Sequence, residues 1–178
     1  YSDADIISNY ALICEEKEEN EKAIRLYEKC AKSFPNHIYS KLNLSFLYYK
    51  LNNLEKAEKI IEEAIKLYEK CNKIFPNHIY SRLNLAFLYY NFNNLEKAEK
   101  IIEEAIKLKP SLPNGYCIKG LILKSLNKYE ESKSSFEKAI EIDKNYFDAY
   151  INLGLLNKDS NKYNEAEEYY LKALEINN

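Results

Sequence analysis

YEKCAKSFPNHIYSKLNLSFLYYKLNNLEKAEKIIEEAIKL, residues 27–67, is followed without a break by YEKCNKIFPNHIYSRLNLAFLYYNFNNLEKAEKIIEEAIKL, residues 68–108. The two 41-residue passages agree at 35 positions and differ at six. Self-similarity at a period between 20 and 50 residues points to a stack of supersecondary units, each burying its apolar face on the next. Within each copy, Leu54, Ala57, Ile61, Ala64 and Ile65 recur at helical spacing between Glu and Lys, the pattern of an amphipathic helix. No stretch keeps a strand-like alternation, so an all-α chain of ten helices in antiparallel pairs is expected.

Outward from the duplication, a shorter template runs along the whole chain. A small residue stands mid-way in a first helix, and Ala or Ser follows about twelve residues on. An aromatic residue or Ile comes four later, then another small residue three beyond that. The series reads Ala11, Ala23, Tyr27, Cys30; Ser45, Ala57, Ile61, Ala64; Ala86, Ala98, Ile102, Ala105; Gly120, Ser132, Phe136, Ala139; Gly154, Ala166, Tyr170, Ala173. Small residues at helix crossings let the backbones approach, and the large residue fills the gap beside them.

The turns are made without Gly. Asn52, Asn93, Asn127 and Asn161 share one template position between paired helices, where Asn tolerates the left-handed conformation that ends a helix. Glu18 stands there in the opening unit. Asn36 and Asn77, each after a Pro, read as N-caps of the helices that follow. One unit breaks the 34-residue period: Ser45 to Ala86 is 41 residues. Seven extra residues are nearly two helical turns, so the stripe Ala57, Ile61, Ala64, Tyr68, Cys71, Phe75 stays in phase. One continuous helix over about Leu54 to Ile74 is therefore expected, roughly 10 Å longer than its siblings.

This small–aromatic–small pattern, with prolines such as Pro35 and Pro110 closing units, resembles the tetratricopeptide repeat (TPR) over essentially the whole chain. The resemblance implies one solenoid over 1–178, a right-handed superhelix of five repeats at about 4–37, 38–78, 79–112, 113–146 and 147–178. The second repeat would carry the elongated second helix. It implies first helices lining a concave groove and second helices forming the convex face. The family's bulky aromatic early in the first helix is matched by Tyr116 and Tyr150, whereas Ile7, Lys41 and Arg82 stand at the other corresponding positions.

Composition narrows the function. Lys and Arg number 26 against 28 Asp and Glu, a net charge of −2, without the clustered basic charge a nucleic-acid partner requires. Apolar runs such as Leu44 to Tyr49 are too short to span a bilayer, so direct membrane insertion is not expected. No charged-then-apolar leader opens the chain, and an opening on Tyr1 rather than Met reads as a piece of a longer protein. Cys14, Cys30, Cys71 and Cys117 form no CxxC pair and read as small buried residues of a reducing, cytoplasmic compartment. His37 and His78 read as helix-terminal surface residues, with no metal-ligand spacing around them. Acidic groups such as Glu103 with Glu104 read as solvated helix faces. With no phosphate loop, nucleophile elbow or His–Cys dyad, neither an enzyme nor a cofactor is expected.

The informative constellation lies in the first helices. Asn9, Asn43, Asn84 and Asn152 share one template position, two residues before the small residue of each unit; Ile118 replaces them in the fourth. In the TPR family this position faces the groove, and peptide-binding members use its amide on a ligand's main chain. An amide both donates and accepts, which suits an extended backbone. Tyr39, Phe46 and Tyr49 in the second repeat, and Tyr80, Phe87 and Tyr90 in the third, flank those amides; the tyrosines offer apolar area with polar tips, while Phe46 and Phe87 fit inter-helix packing as well. The family's chaperone-tail clamp is not expected, because its cationic positions carry Ser8, Leu12, Tyr80 and Asn84, and Asn43 alone matches. The sequence thus reads as a scaffold binding an extended peptide or partner helix. The alternatives are homo-oligomeric assembly through the solenoid ends or convex face, and a targeting domain of a larger enzyme. Nothing after Ala173 resembles a polar capping helix, so further chain or end-to-end association is expected.

Overall fold

The computed structural model describes residues 2–177, and among them there are ten α-helices and no strand. They are α1 (Asp3–Glu16), α2 (Asn20–Ser33), α3 (Ile38–Lys50), α4 (Leu54–Ile74), α5 (Ile79–Asn91), α6 (Leu95–Leu108), α7 (Pro113–Ser125), α8 (Tyr129–Ile142), α9 (Phe147–Asp159) and α10 (Tyr163–Asn177). The long helix expected over Leu54–Ile74 is present with those bounds. The helices fall into two compact units, Tyr1–Ile74 and Phe75–Asn178, within each of which consecutive helices pack on one another.

The five turns inside the pairs share one geometry. Glu18, Asn52, Asn93, Asn127 and Asn161 all have φ between 55° and 61°. In each, the next residue's N–H reaches back to a carbonyl five residues earlier, as from Asn94 to Tyr89 (2.8 Å) and from Lys128 to Leu123 (2.9 Å). The left-handed residue bonds three back, as Asn93 N–H does to Tyr90 (2.9 Å). Together these bonds close the helix end and satisfy its orphan carbonyls. Glu18 makes the same turn at φ 61° without the side-chain tolerance of Asn. Glu18→Gly should therefore stabilise the first unit by about 1 kcal/mol, read as a rise in its urea midpoint.

Template residues and their first-helix neighbours together form the core. In the first unit Ala11, Cys14, Ala23, Tyr27, Leu44, Leu47, Tyr48 and Ala57 make one buried cluster. In the second, Cys117, Phe136, Ala139, Ala149, Leu153 and Leu156 make another. The crossing of α7 and α8 is tight: a methyl built on Gly120 would lie 2.5 Å from the Phe136 ring. There Ser132 Oγ donates to the Gly120 carbonyl at 2.8 Å, which satisfies a buried hydroxyl between helices too close for a larger side chain. Gly154 meets Tyr170 in the same way, at 2.6 Å.

Two readings of helix starts need correction. The N-caps of α3 and α5 are His37 and His78, not Asn36 and Asn77. Each imidazole Nδ1 accepts the N–H of the residue three on, from Ser40 (3.4 Å) and from Ser81 (3.2 Å). Each Ser hydroxyl donates back to the His carbonyl, at 2.9 and 2.8 Å. His37 is also no surface residue: its side chain is 14% exposed, with Nε2 3.2 Å from Asp5 Oδ1. Lys41 and Arg82, standing where the family has an aromatic, turn to the paired helix instead. Lys41 Nζ lies 2.6 Å from Glu63 Oε2, and Arg82 Nε lies 3.9 Å from Glu104 Oε2. The acidic groups read as solvated faces are thus half-exposed partners of first-helix cations, with Glu103 holding Lys119 at 3.3 Å.

Asp5 also closes the capping box of α1 with Ser2. The Ser2 backbone N–H, then the Ser2 hydroxyl, then His37 hold its carboxyl down from the ordinary 3.8 to about 2. A carboxylate depressed on folding contributes stability above its unfolded pKa and loses it as pH falls through the folded value. The first unit should therefore weaken between about pH 4 and pH 2. In Asp5→Asn that part of the acid dependence should vanish, as followed by circular dichroism in urea at each pH.

Candidate functional site

In the second unit, the first helices α5, α7 and α9 line a cavity of about 360 Å³. Asn84 and Phe87 come from α5, Asn114, Cys117, Ile118 and Leu121 from α7, and Asp148 and Asn152 from α9, with Tyr146 at the cap of α9. Helical spacing explains the set: Asn84 and Phe87 stand three apart, Asp148 and Asn152 four apart, and Asn114, Cys117, Ile118 and Leu121 follow the i, i+3, i+4, i+7 pattern, so each helix offers one stripe. Of the residues expected from sequence, Asn84, Phe87 and Asn152 meet here. Tyr90 does not line the cavity but stacks on Phe87, ring centroids 6.0 Å apart. Tyr80 stands clear, 60% exposed, against the edge of His78.

Asn114, Cys117, Ile118, Leu121, Tyr146 and Asp148 were missed by the sequence reading. Their signal is the 34-residue register itself: Asn114 and Asp148 repeat Tyr80, Ile118 repeats Asn84, and Leu121 repeats Phe87.

The Asn152 amide already has work inside the chain. Its Nδ2 donates to the Asp148 carbonyl at 2.8 Å and lies 3.6 Å from Cys117 Sγ. Burial pushes the Cys117 thiol up to about 12, helped by the Asp148 charge and opposed by the Asn152 amide, so this cysteine stays protonated and unreactive. Burial, then Cys117 and Asp148, raises the Tyr146 phenol too. Its hydroxyl lies 3.4 Å from Asn114 Oδ1. The floor of the cavity is therefore a neutral, mostly apolar surface with Asp148 at its edge.

The first unit carries the other expected residues on α1 and α3. Asn9 is exposed on α1. On α3, Tyr39, Phe46 and Tyr49 are exposed at 62%, 49% and 68%, while Asn43 is half-buried among them. Beneath it lies fully buried Tyr27, its phenol pushed up to about 12 by burial and by Glu15, with the Asn43 amide acting the other way. Asn43 thus sits on a polar spot of the core at the base of an aromatic face.

One contact runs against the sequence reading. Cys30 Sγ lies 3.7 Å from His37 Nδ1, on the side of the ring opposite Asp5. This is a Cys–His–Asp series where no His–Cys dyad was expected. It is sealed, however: Cys30 is fully buried and donates to the Ala4 carbonyl at 3.4 Å. A nucleophile must be reachable. Among the described residues no helix is long and apolar enough to cross a membrane.

No curated protein matches the sequence significantly. Solved structures match its fold along nearly its full length. A thermophilic TPR protein from Thermus thermophilus gives a TM-score of 0.69 at 17% identity over 97% of this chain and 91% of that one. PilW, a type IV pilus biogenesis factor, gives 0.69 at 16% identity over 99% and 78%. MamA from residue 41 onward, from Desulfovibrio magneticus RS-1, gives 0.60 at 19% identity over 99% and 96%. Tetratricopeptide repeat family models match residues 16–64, 61–114, 113–146 and 147–178. With helix pairs, turns and small–large crossings all in that register, the chain belongs to the tetratricopeptide repeat family.

Proposed function

We propose that this chain is a protein–protein interaction scaffold without catalytic chemistry of its own, binding an extended peptide or partner helix on its first-helix faces. The observation that carries the reading is the cavity of about 360 Å³ over α5, α7 and α9, where Phe87, Ile118 and Leu121 offer apolar contact beside the amides of Asn84, Asn114 and Asn152. Mostly apolar lining with a few fixed polar groups is what a recognition pocket needs. The aromatic face of α3 in the first unit supports a second contact region of the same kind. The test is selection of phage-displayed random peptides on the whole chain, repeated on Phe87→Ala and on Lys100→Ala, an exposed change on α6. A consensus that survives Lys100→Ala and fails on Phe87→Ala supports the reading. A consensus indifferent to Phe87 sends the site elsewhere.

A specific observation favours self-assembly as a second reading. Ile6, Tyr10 and Ile13 form an exposed stripe on α1 (59%, 46% and 48%), whereas their counterparts Ser40, Leu44 and Leu47 are buried on α3. Of these, Leu44 and Leu47 share one buried cluster with Ala23 and Tyr27 of the preceding second helix, α2. Exposed Leu171 and Leu174 on α10 are a second-helix surface that another copy could lay over it. Mass by light scattering should then rise with concentration and stay monomeric in Tyr10→Lys.

A further inference from the structure

The groove of the second unit has a charge that nothing among the described residues pairs. Among its described lining residues Asp148 alone bears a formal charge at neutral pH, and they include no Lys, Arg or His. Asp148 is exposed. The two lysines of α7, the central helix of the cavity, are engaged with other carboxylates: Lys124 Nζ lies 2.6 Å from Asp159 and Lys119 Nζ 3.3 Å from Glu103. The aromatic rings of Tyr146 and Phe87 line the same cavity. A carboxylate beside aromatic faces and an apolar floor matches one ligand chemistry well, a cationic side chain with an apolar neighbour.

Resting on the scaffold reading above, we infer that the segment bound in this groove carries a Lys or Arg that pairs with Asp148, next to an apolar residue seated against Phe87 and Leu121. The surroundings favour the pair. Asp148 already acts on Cys117 and Tyr146 at the cavity wall, so its field reaches the space a ligand would fill. An incoming cation also meets aromatic faces, so its charge is stabilised twice, by the carboxylate and by the ring quadrupoles. The ordinary alternative is that Asp148, in the first turn of α9, serves only the helix dipole. That role would affect stability and leave ligand choice alone.

The experiment is the same random-peptide selection on the whole chain, run in parallel on Asp148→Asn and Asp148→Lys, with melting curves to show that each variant is folded. Peptides selected on the native chain should carry Lys or Arg at one fixed position beside an apolar residue. Selection on Asp148→Lys should replace that cation by Asp or Glu, or lose the preference. For the best peptide, Asp148→Asn should weaken binding about ten-fold, and its remaining affinity should respond less to salt. Peptides that bind through Phe87 without a cation preference would overturn this inference and leave the scaffold reading standing. So would a preference unchanged on Asp148→Lys, which would come from acidic surface elsewhere. If no peptide depends on Phe87, the scaffold reading at this groove fails, and this inference with it.

Discussion

Gly120→Ala lowers the stability of the Phe75–Asn178 unit by about 1–2 kcal/mol, although Ala is the better helix former. In an open helix the change would gain about 1 kcal/mol. Here the new methyl would lie 2.5 Å from the Phe136 ring, and forcing a close-packed crossing apart costs typically about 1–3 kcal/mol or more. The chain supplies its own control. In the third repeat the equivalent pair is Ala86 with Ile102, both fully buried. Phe136→Ile alone leaves a void and loses about 1–2 kcal/mol. The double variant Gly120→Ala/Phe136→Ile rebuilds the third repeat's crossing and should be more stable than the sum of the two single losses by about 1–3 kcal/mol. Urea unfolding of the four proteins measures this. Ala11 beside the buried Tyr27 shows that an Ala can share a crossing with a ring, which sets the single loss at the lower end. Additive effects would mean that the two side chains do not compete for one space.

Phe87→Ala weakens the best selected peptide by about 30-fold, or about 2 kcal/mol, the scale of an aromatic anchor at the centre of a contact. Asn84→Ala should lose about 1 kcal/mol, the worth of one ligand hydrogen bond. From sequence alone Tyr80 and Phe87 are both aromatic neighbours of the same Asn, and Phe87 fits inter-helix packing as well. The structure separates them: Phe87 lines the cavity and stacks on Tyr90, whereas Tyr80 projects away from it. Tyr80→Ala should therefore cost clearly less than Phe87→Ala in fluorescence polarisation with the labelled peptide. The reverse order would place the ligand toward the α5 N-terminus and off the cavity.

What the sequence made legible were the features with local causes. Leu54–Ile74 could be read as one helix because seven residues keep the apolar stripe in phase. Asn52, Asn93, Asn127 and Asn161 could be read as turns because few residues besides Gly enter the left-handed region at small cost. Features set by distant partners were not legible. His37 became the cap instead of Asn36 with its imidazole also held by Asp5, 32 residues away in sequence. Lys41 looked like a departure from the family because its partner Glu63 lies on another helix. At the groove, following the Asn and aromatic residue types found Asn84, Phe87 and Asn152. Following the 34-residue register through unlike residues would also have reached Leu121 and Asp148.

The left-handed turns have a kinetic consequence. Each joins its two helices through three residues, so every pair can close on itself before any distant segment arrives. Contacts made between sequence neighbours cost little loop-closure entropy, and chains built from them fold in microseconds to milliseconds. Asn, less free than Gly in the unfolded chain, narrows the search further at four of these five turns. The three glycines lie inside α7 and α9, two of them where a side chain would strike a ring. This chain has reversed the usual use of glycine: space is its reason at the crossings, while stereochemistry at the bends is left to Asn, and the rate of hairpin closure is set there.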